Sequence, residues 1–156
     1  MPRLDRLSEL ARKTLLTHNV LVHDDAPYTP LGKPLSRATV ALVTTGGLHT
    51  RSDRPFTSGD QTFRSIPSDA PPRDILLSHT SIGFDRSGVL RDLNLLLPID
   101  RLRELVQAGE IGAVGPNMYS FLGAQRKYDG LINEFGPEVG RRLKAEGIDA
   151  VLMTGA

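Results

Sequence analysis

Cysteine is absent from the 156 residues. That excludes disulfides, thiolate metal sites and cysteine nucleophilic chemistry within this chain. No run of about 18 apolar residues occurs, so no stretch reads as a membrane-spanning helix. An excess of charge is missing too. Against 19 Lys and Arg stand 18 Asp and Glu, a formal net charge of +1, which argues against a strong nucleic-acid or membrane-surface footprint. Arg3, Asp5, Arg6 and Glu9 leave no apolar core for a secretion signal, and a cytoplasmic protein is expected. There is no phosphate-binding P-loop pattern and no Gly-x-Gly-x-x-Gly after a strand. The metal-binding His-Glu-x-x-His and the nucleophile-elbow Gly-x-Ser-x-Gly are absent as well.

The remaining composition is that of an ordinary soluble domain, with 39% hydrophobic and 24% charged residues. Its organising stretch is Val40-Ala41-Leu42-Val43-Thr44-Thr45-Gly46-Gly47-Leu48-His49. Four consecutive apolar residues read as a buried strand. Two glycines at its carboxyl end let the chain turn sharply and let backbone N–H groups approach a ligand. Before it, residues 4–16 carry apolar residues at 4, 7, 10, 11 and 15, the spacing of an amphipathic helix. This helix is expected to dock its Leu4/Leu7/Leu10/Ala11 face on the body or on a second subunit, because so short a helix is marginal alone. A connector with Pro27, Pro30 and Pro34 follows. Residues 1–35 are therefore read as an N-terminal helix and Pro-rich connector, and 36–156 as an α/β domain.

Within that domain, 50–73 shows no long periodic segment and reads as a long functional loop. Residues 74–79 read as a second strand. The clearest helix follows Pro98 and stops at Gly109, with Ile99, Leu102, Leu105 and Val106 as its buried stripe. Residues 118–123 read as a short strand, 124–146 as a helix broken near Gly136-Pro137, and 148–156 as a last strand. Alternating strands and helices imply a mainly parallel sheet with flanking helices. The last strand is apolar on both faces, so the sheet's cover reads as incomplete at the C-terminus.

The chemistry-bearing residues gather at strand ends, where α/β sheets bind ligands. His49 and His79 each end a strand, and Asp85 follows in the next loop. These three are the candidate acid/base residues, expected to face one common cleft. Thr45, Gly46 and Gly47, with Asp60 and Arg64 from the long loop, are candidate substrate-binding groups. An Arg fork suits a carboxylate, although Asp60 and Arg64 could equally pair with each other. His23-Asp24-Asp25 reads as a polar turn in preference to a metal site, and no metal is assigned. A metal-dependent hydrolase using His49, His79 and Asp85 is a third-ranked alternative.

Several motifs together carry a resemblance: Tyr28-Thr29-Pro30-Leu31, Pro34-Leu35-Ser36, the 40–49 stretch, Gly59-Asp60 with Phe63-Arg64, Ser78-His79, Phe84-Asp85, Asp92-Leu93-Asn94, Pro98-Ile99-Asp100-Arg101-Leu102, and Tyr119-Ser120-Phe121-Leu122-Gly123. From about residue 28 to 156 the sequence resembles the selenoprotein B subunits of glycine, sarcosine and betaine reductases and the related D-proline reductase subunit. The resemblance implies an oxidoreductase that reductively cleaves a small carboxylate-bearing amine. In such proteins a selenocysteine or cysteine attacks substrate activated by a pyruvoyl group on a partner subunit, and a thiol reductant closes the cycle. No cofactor is implied within this chain, and self-association is left open. The resemblance places the redox residue directly after the strand ending at Gly155, so selenocysteine or cysteine is expected at position 157. The 156 residues alone are expected to lack thiol-dependent activity. The runner-up reading is a non-catalytic α/β binding or assembly domain of the same ancestry.

Overall fold

A computed structural model describes residues 3–17, 22, 24–81 and 83–155. The fold is built on β1 (Thr39–Thr44), five of whose six residues are buried. Strand β7 (Ala150–Thr154) runs parallel to it over five rungs, from Val40↔Ala150 to Thr44↔Thr154. On its other side lie β5 (Ala113–Val114), parallel at Thr39 and Val40, and β6 (Asn117–Ser120), parallel at Val43 and Thr44. Backbone hydrogen bonds fix those sides. The carbonyls of Ala38, Val40 and Thr44 accept from residues of the β5–β6 segment, whereas that of Thr39 accepts from Asp149. Carbonyls on alternate residues of a strand point to opposite neighbours. Thus β5 and β6 are one strand interrupted at Gly115-Pro116, where proline has no N–H to give the ladder. The short β3 (Arg64–Pro67) pairs antiparallel with the outer side of β6.

Side-chain alternation along β1 divides the core in two. Val40 and Leu42 join Leu97, Ile99, Leu102 and Met118 on one face. Val43 joins Tyr119, Phe121 and Val139 on the other, with Phe63 and Phe135 packed against them. Helix α3 (Ile99–Gln107) covers the first face and α4 (Gly136–Ala145) the second. Two further helices, α1 (Glu9–Leu16) and α2 (Ser87–Arg91), are short. The architecture is α/β with a mainly parallel sheet, flanking helices and an N-terminal helix, as the residue pattern implied.

Several local expectations are corrected. Residues 75–77 do form a strand, β4 (Ile75–Leu77), but it leaves the main sheet and pairs antiparallel with β2 (Leu48–Thr50). The cause is the turn after β1, where Gly47 sits at φ +68° and reverses the chain. Strand β3 lies inside the expected loop because only one of its residues, Ile66, is buried, too little for a periodic signal. In α3, Leu105 is exposed and Val106 packs on the core. Positions 99, 102 and 106 share a face, and 105 lies round the side. Residues 124–128 are not helical; the helix begins at Asp129, and Leu131–Phe135 forms a π-helical turn that leads into α4. Proline at 137 lacks the donor for an α-type bond to the preceding turn, and a wider turn accommodates that loss.

Helix α1 is not docked on the body, one of the two places expected for it. Ser8 caps it by accepting from the N–H of Ala11, but no residue of the helix is buried. Leu10 is 76% exposed, and Leu4, Leu15 and Leu16 are exposed as well. Its leucine face is not docked on the body. Helical spacing identifies an apolar face without saying what covers it. His23, of the His23-Asp24-Asp25 turn, lies outside the described residues.

Candidate functional site

The carboxyl ends of β1, β6 and β7 open onto a cavity of about 1060 Å³, lined among others by Val43, Thr45, Thr80, Ser81, Phe121, Gly123, Gln125, Arg126 and Met153. Its position is the one expected of a ligand site in an α/β sheet. Val43, Phe121 and Met153 form an apolar floor. The rim is set by the turn after β6, whose Ala124 holds a left-handed φ of +54°. That conformation is uncommon for a residue with a Cβ. Gln125 fixes the turn, its amide donating to the carbonyls of Asp60 (2.7 Å) and Leu122 (3.1 Å). A second cavity of about 470 Å³, lined by Arg54, Thr57, Gly59, Asp60, Thr62 and Arg64, meets the first at Ser58.

The diglycine turn borders this cavity through Thr45. Its amides are engaged by the protein itself. The N–H of Gly46 donates to Thr44 Oγ1 (3.1 Å) and that of Gly47 to the Phe121 carbonyl (2.8 Å). Leu48 donates to Ser120 Oγ (2.8 Å) and Thr45 to the Thr154 carbonyl (3.0 Å). Glycine at 46 and 47 therefore serves close packing. A Cβ on Gly46 would lie 2.7 Å from Leu96, and one on Gly47 3.2 Å from the His79 backbone.

His79 lies directly behind the cavity wall formed by Thr80, Ser81 and Gly123. It is 4% exposed. Its carbonyl accepts from Arg86 (2.7 Å) and its ring packs on Phe84 at 4.5 Å. The Ser81 N–H donates to Nδ1 (3.2 Å), so the neutral ring carries its proton on Nε2. Burial, aided by the Arg86 charge, holds the His79 pKa below the usual histidine value. Nε2 is buried and has no hydrogen-bond partner. Gly123 packs against it, and a Cβ there would lie 3.0 Å from both Nε2 and the Thr45 carbonyl oxygen. A neutral donor histidine is thus stored at the cavity's edge.

The other expected residues are distributed differently. His49 is buried on β2, opposite Leu76, with Nδ1 2.7 Å from the Thr50 carbonyl. It lines neither of the two cavities. Asp85 is exposed and accepts from the N–H of Ser87 (2.8 Å), a hydrogen bond that lowers its pKa. No hydrogen bond joins His49, His79 and Asp85 to one another. Asp60 and Arg64 pair at 2.9 Å with both side chains largely buried. Arg64 also donates to Thr62 Oγ1 and to the carbonyls of Arg54 and Phe63, and it stacks on Phe56 at 4.2 Å. Its fork is occupied by the protein. Among the described residues no cluster of three His, Asp or Glu could hold a metal ion, and no helix is long and apolar enough to cross a membrane. Reading the sequence missed Gly123, Gln125 and Arg126. Their place just after a strand's carboxyl end was the available signal.

The profile of the glycine/sarcosine/betaine reductase selenoprotein B family matches residues 7–156. The chain belongs to that family. Among curated relatives, it is 43% identical over 128 residues to D-proline reductase subunit gamma of Acetoanaerobium sticklandii, a match covering 81% of this chain and 52% of that protein. It is 33% identical over 136 residues to glycine reductase complex component B subunit gamma of Carboxydothermus hydrogenoformans, covering 84% and 31%. With sarcosine reductase complex component B subunit beta of Peptoclostridium acidaminophilum it shares 31% identity over 137 residues, covering 85% and 31%. The chain spans about half the length of the first relative and about a third of the other two. No solved structure matches it. The selenoprotein B-family match takes in every element that builds the cavity.

Proposed function

We propose that this chain is the α/β part of a selenoprotein B-type reductase subunit, and that the cavity at the carboxyl edge of β1, β6 and β7 receives a small carboxylate-bearing amine such as glycine, sarcosine, betaine or D-proline. The observation that carries the reading is the coincidence of the family match over residues 7–156 with a large cavity at that edge. Relatives named as subunits of glycine, sarcosine and D-proline reductases support a multi-subunit setting. The partner is a pyruvoyl-bearing subunit with a thiol reductant, working in the cytoplasm. Cysteine is absent here, so the selenium or sulfur that attacks the substrate is not among these 156 residues. The chain's own contribution is a shaped, partly apolar receptacle with donors at its rim. His79 is the candidate catalytic residue nearest that rim, a neutral donor through an Nε2–H buried behind Gly123, and not a base.

Chemical-shift mapping of the isotopically labelled chain with D-proline tests the site. The expected perturbations fall on the amides of Thr45, Thr80, Gly123 and Gln125, with little change at His49 or Asp85. A footprint centred on His49 would place the site elsewhere.

A further inference from the structure

The charges around the cavity are unequal. Arg126 is the one fully charged side chain lining it among the described residues, and no Asp or Glu lines it. Arg126 is exposed and makes no ion pair or side-chain hydrogen bond with another described residue. The other polar groups at the wall include the hydroxyls of Thr14, Thr17, Ser58, Thr80 and Ser81, those of Thr14 and Thr17 already donating to the carbonyls of Leu10 (2.9 Å) and Lys13 (2.8 Å). Gln125 has its amide donors committed to backbone carbonyls, and Arg64, in the adjoining cavity, is saturated by Asp60, Thr62 and two carbonyls. The neutral Nε2–H of His79 lies just behind the wall. Among the described residues the cavity therefore offers one cation and neutral hydroxyls over an apolar floor, with no carboxylate to face an ammonium.

We infer that Arg126 anchors the carboxylate of the ligand, and that the cavity recognises a small monocarboxylate through that group and its apolar frame, leaving the nitrogen unrecognised. The inference rests on the proposed substrate site and adds its selectivity rule. A guanidinium matches a carboxylate with two parallel hydrogen bonds. An ammonium placed against the same wall would meet neutral acceptors and a like charge, with no counter-charge among the described lining residues. The nitrogen must then point to the open side of the cavity, where a reacting group can reach it.

Binding of three ring compounds to the purified chain tests this: D-proline, tetrahydrofuran-2-carboxylate, which keeps the carboxylate but replaces the amine by an ether, and pyrrolidine, which keeps the amine alone. Affinities are read by titrating the Gly123 and Gln125 amide resonances. D-proline and tetrahydrofuran-2-carboxylate should bind within a few-fold of each other, and pyrrolidine should not bind. Arg126→Gln should weaken both carboxylates by about tenfold or more, the loss of a charge-assisted pair, while Arg126→Lys should retain part of the affinity. The residue is exposed, so these variants should fold. If D-proline bound but the ether analogue did not, the selectivity rule would be wrong while the site reading stood. Unchanged affinity in Arg126→Gln would also overturn the rule. Absence of binding by all three would overturn the site reading and the rule with it.

Discussion

Leu42→Ala should cost about 3–5 kcal/mol of folding free energy, whereas Leu152→Ala, one rung across the same sheet, should cost less than about 1 kcal/mol. The two leucines are register partners in parallel β1 and β7. Leu42 is 0% exposed at the centre of the main cluster, and Leu152 is 41% exposed. Truncating Leu42 removes its transfer free energy and leaves a cavity that neighbouring strands cannot collapse into. Truncating Leu152 removes a side chain that water already reaches. A loss of that size at Leu42 is a large share of the total stability of a domain, about 5–15 kcal/mol. Urea denaturation of both variants reads the difference. Equal losses would show that β7 is covered and is not the edge of the described sheet.

Arg64→Leu should be the most damaging substitution outside the apolar core, costing roughly 3 kcal/mol. It would strand the Asp60 carboxylate, whose partner lies 2.9 Å away with only 11% of its side chain exposed. Asp60 keeps hydrogen bonds from Thr62, so the loss stays at the low end for breaking a buried pair. The pair also carries a pH signature. Burial alone would raise the Asp60 pKa, but hydrogen bonds from Thr62 and Arg64 and the Arg64 charge more than offset it, and the folded value lies below the ordinary one. A depressed carboxyl pKa contributes stability that is fully present above the unfolded value, about 3.9, and is lost as pH falls through the folded value. Arg64→Leu should therefore flatten the acid limb of the stability profile as well as lower its plateau. Arg64→Leu that folds normally but binds D-proline more than tenfold less tightly would instead make Arg64 a ligand group.

The sequence showed the fold where one residue pattern decided it. Val40, Leu42 and Val43 lie on a strand buried from both sides, and such a run leaves little choice. Pro98 and Gly109 bracketed α3. Less legible were features set by distant partners. Strand β3 owes its pairing to Tyr119 and Met118, some fifty residues later, and β4 follows β2 out of the sheet because of a single backbone angle at Gly47. The site divided similarly. The strand-end rule led to the edge where the cavity opens and to Thr45 in its lining, and His79 is buried directly behind that lining. His49 carried the same local signal, yet its strand turns away. Arg64 looked like an anion ligand because its spacing from Asp60 is compatible with either role, and only burial tells the two apart. Arg126 carried no pattern at all, since an exposed arginine in a loop is informative only once the cavity is seen beside it.

Occluding the cavity tests the central claim most directly. Thr80 is exposed at its lining, so Thr80→Trp should fill the entrance without disturbing the core. Turnover of D-proline, glycine, sarcosine and betaine would be measured in the assembled reductase with a dithiol as reductant, next to the melting temperature of the variant. The account predicts that turnover of the natural substrate falls at least about tenfold, as expected when positioning of the reactant is lost, while the melting temperature stays within a few degrees of the parent. Full turnover by a stably folded Thr80→Trp protein would contradict it.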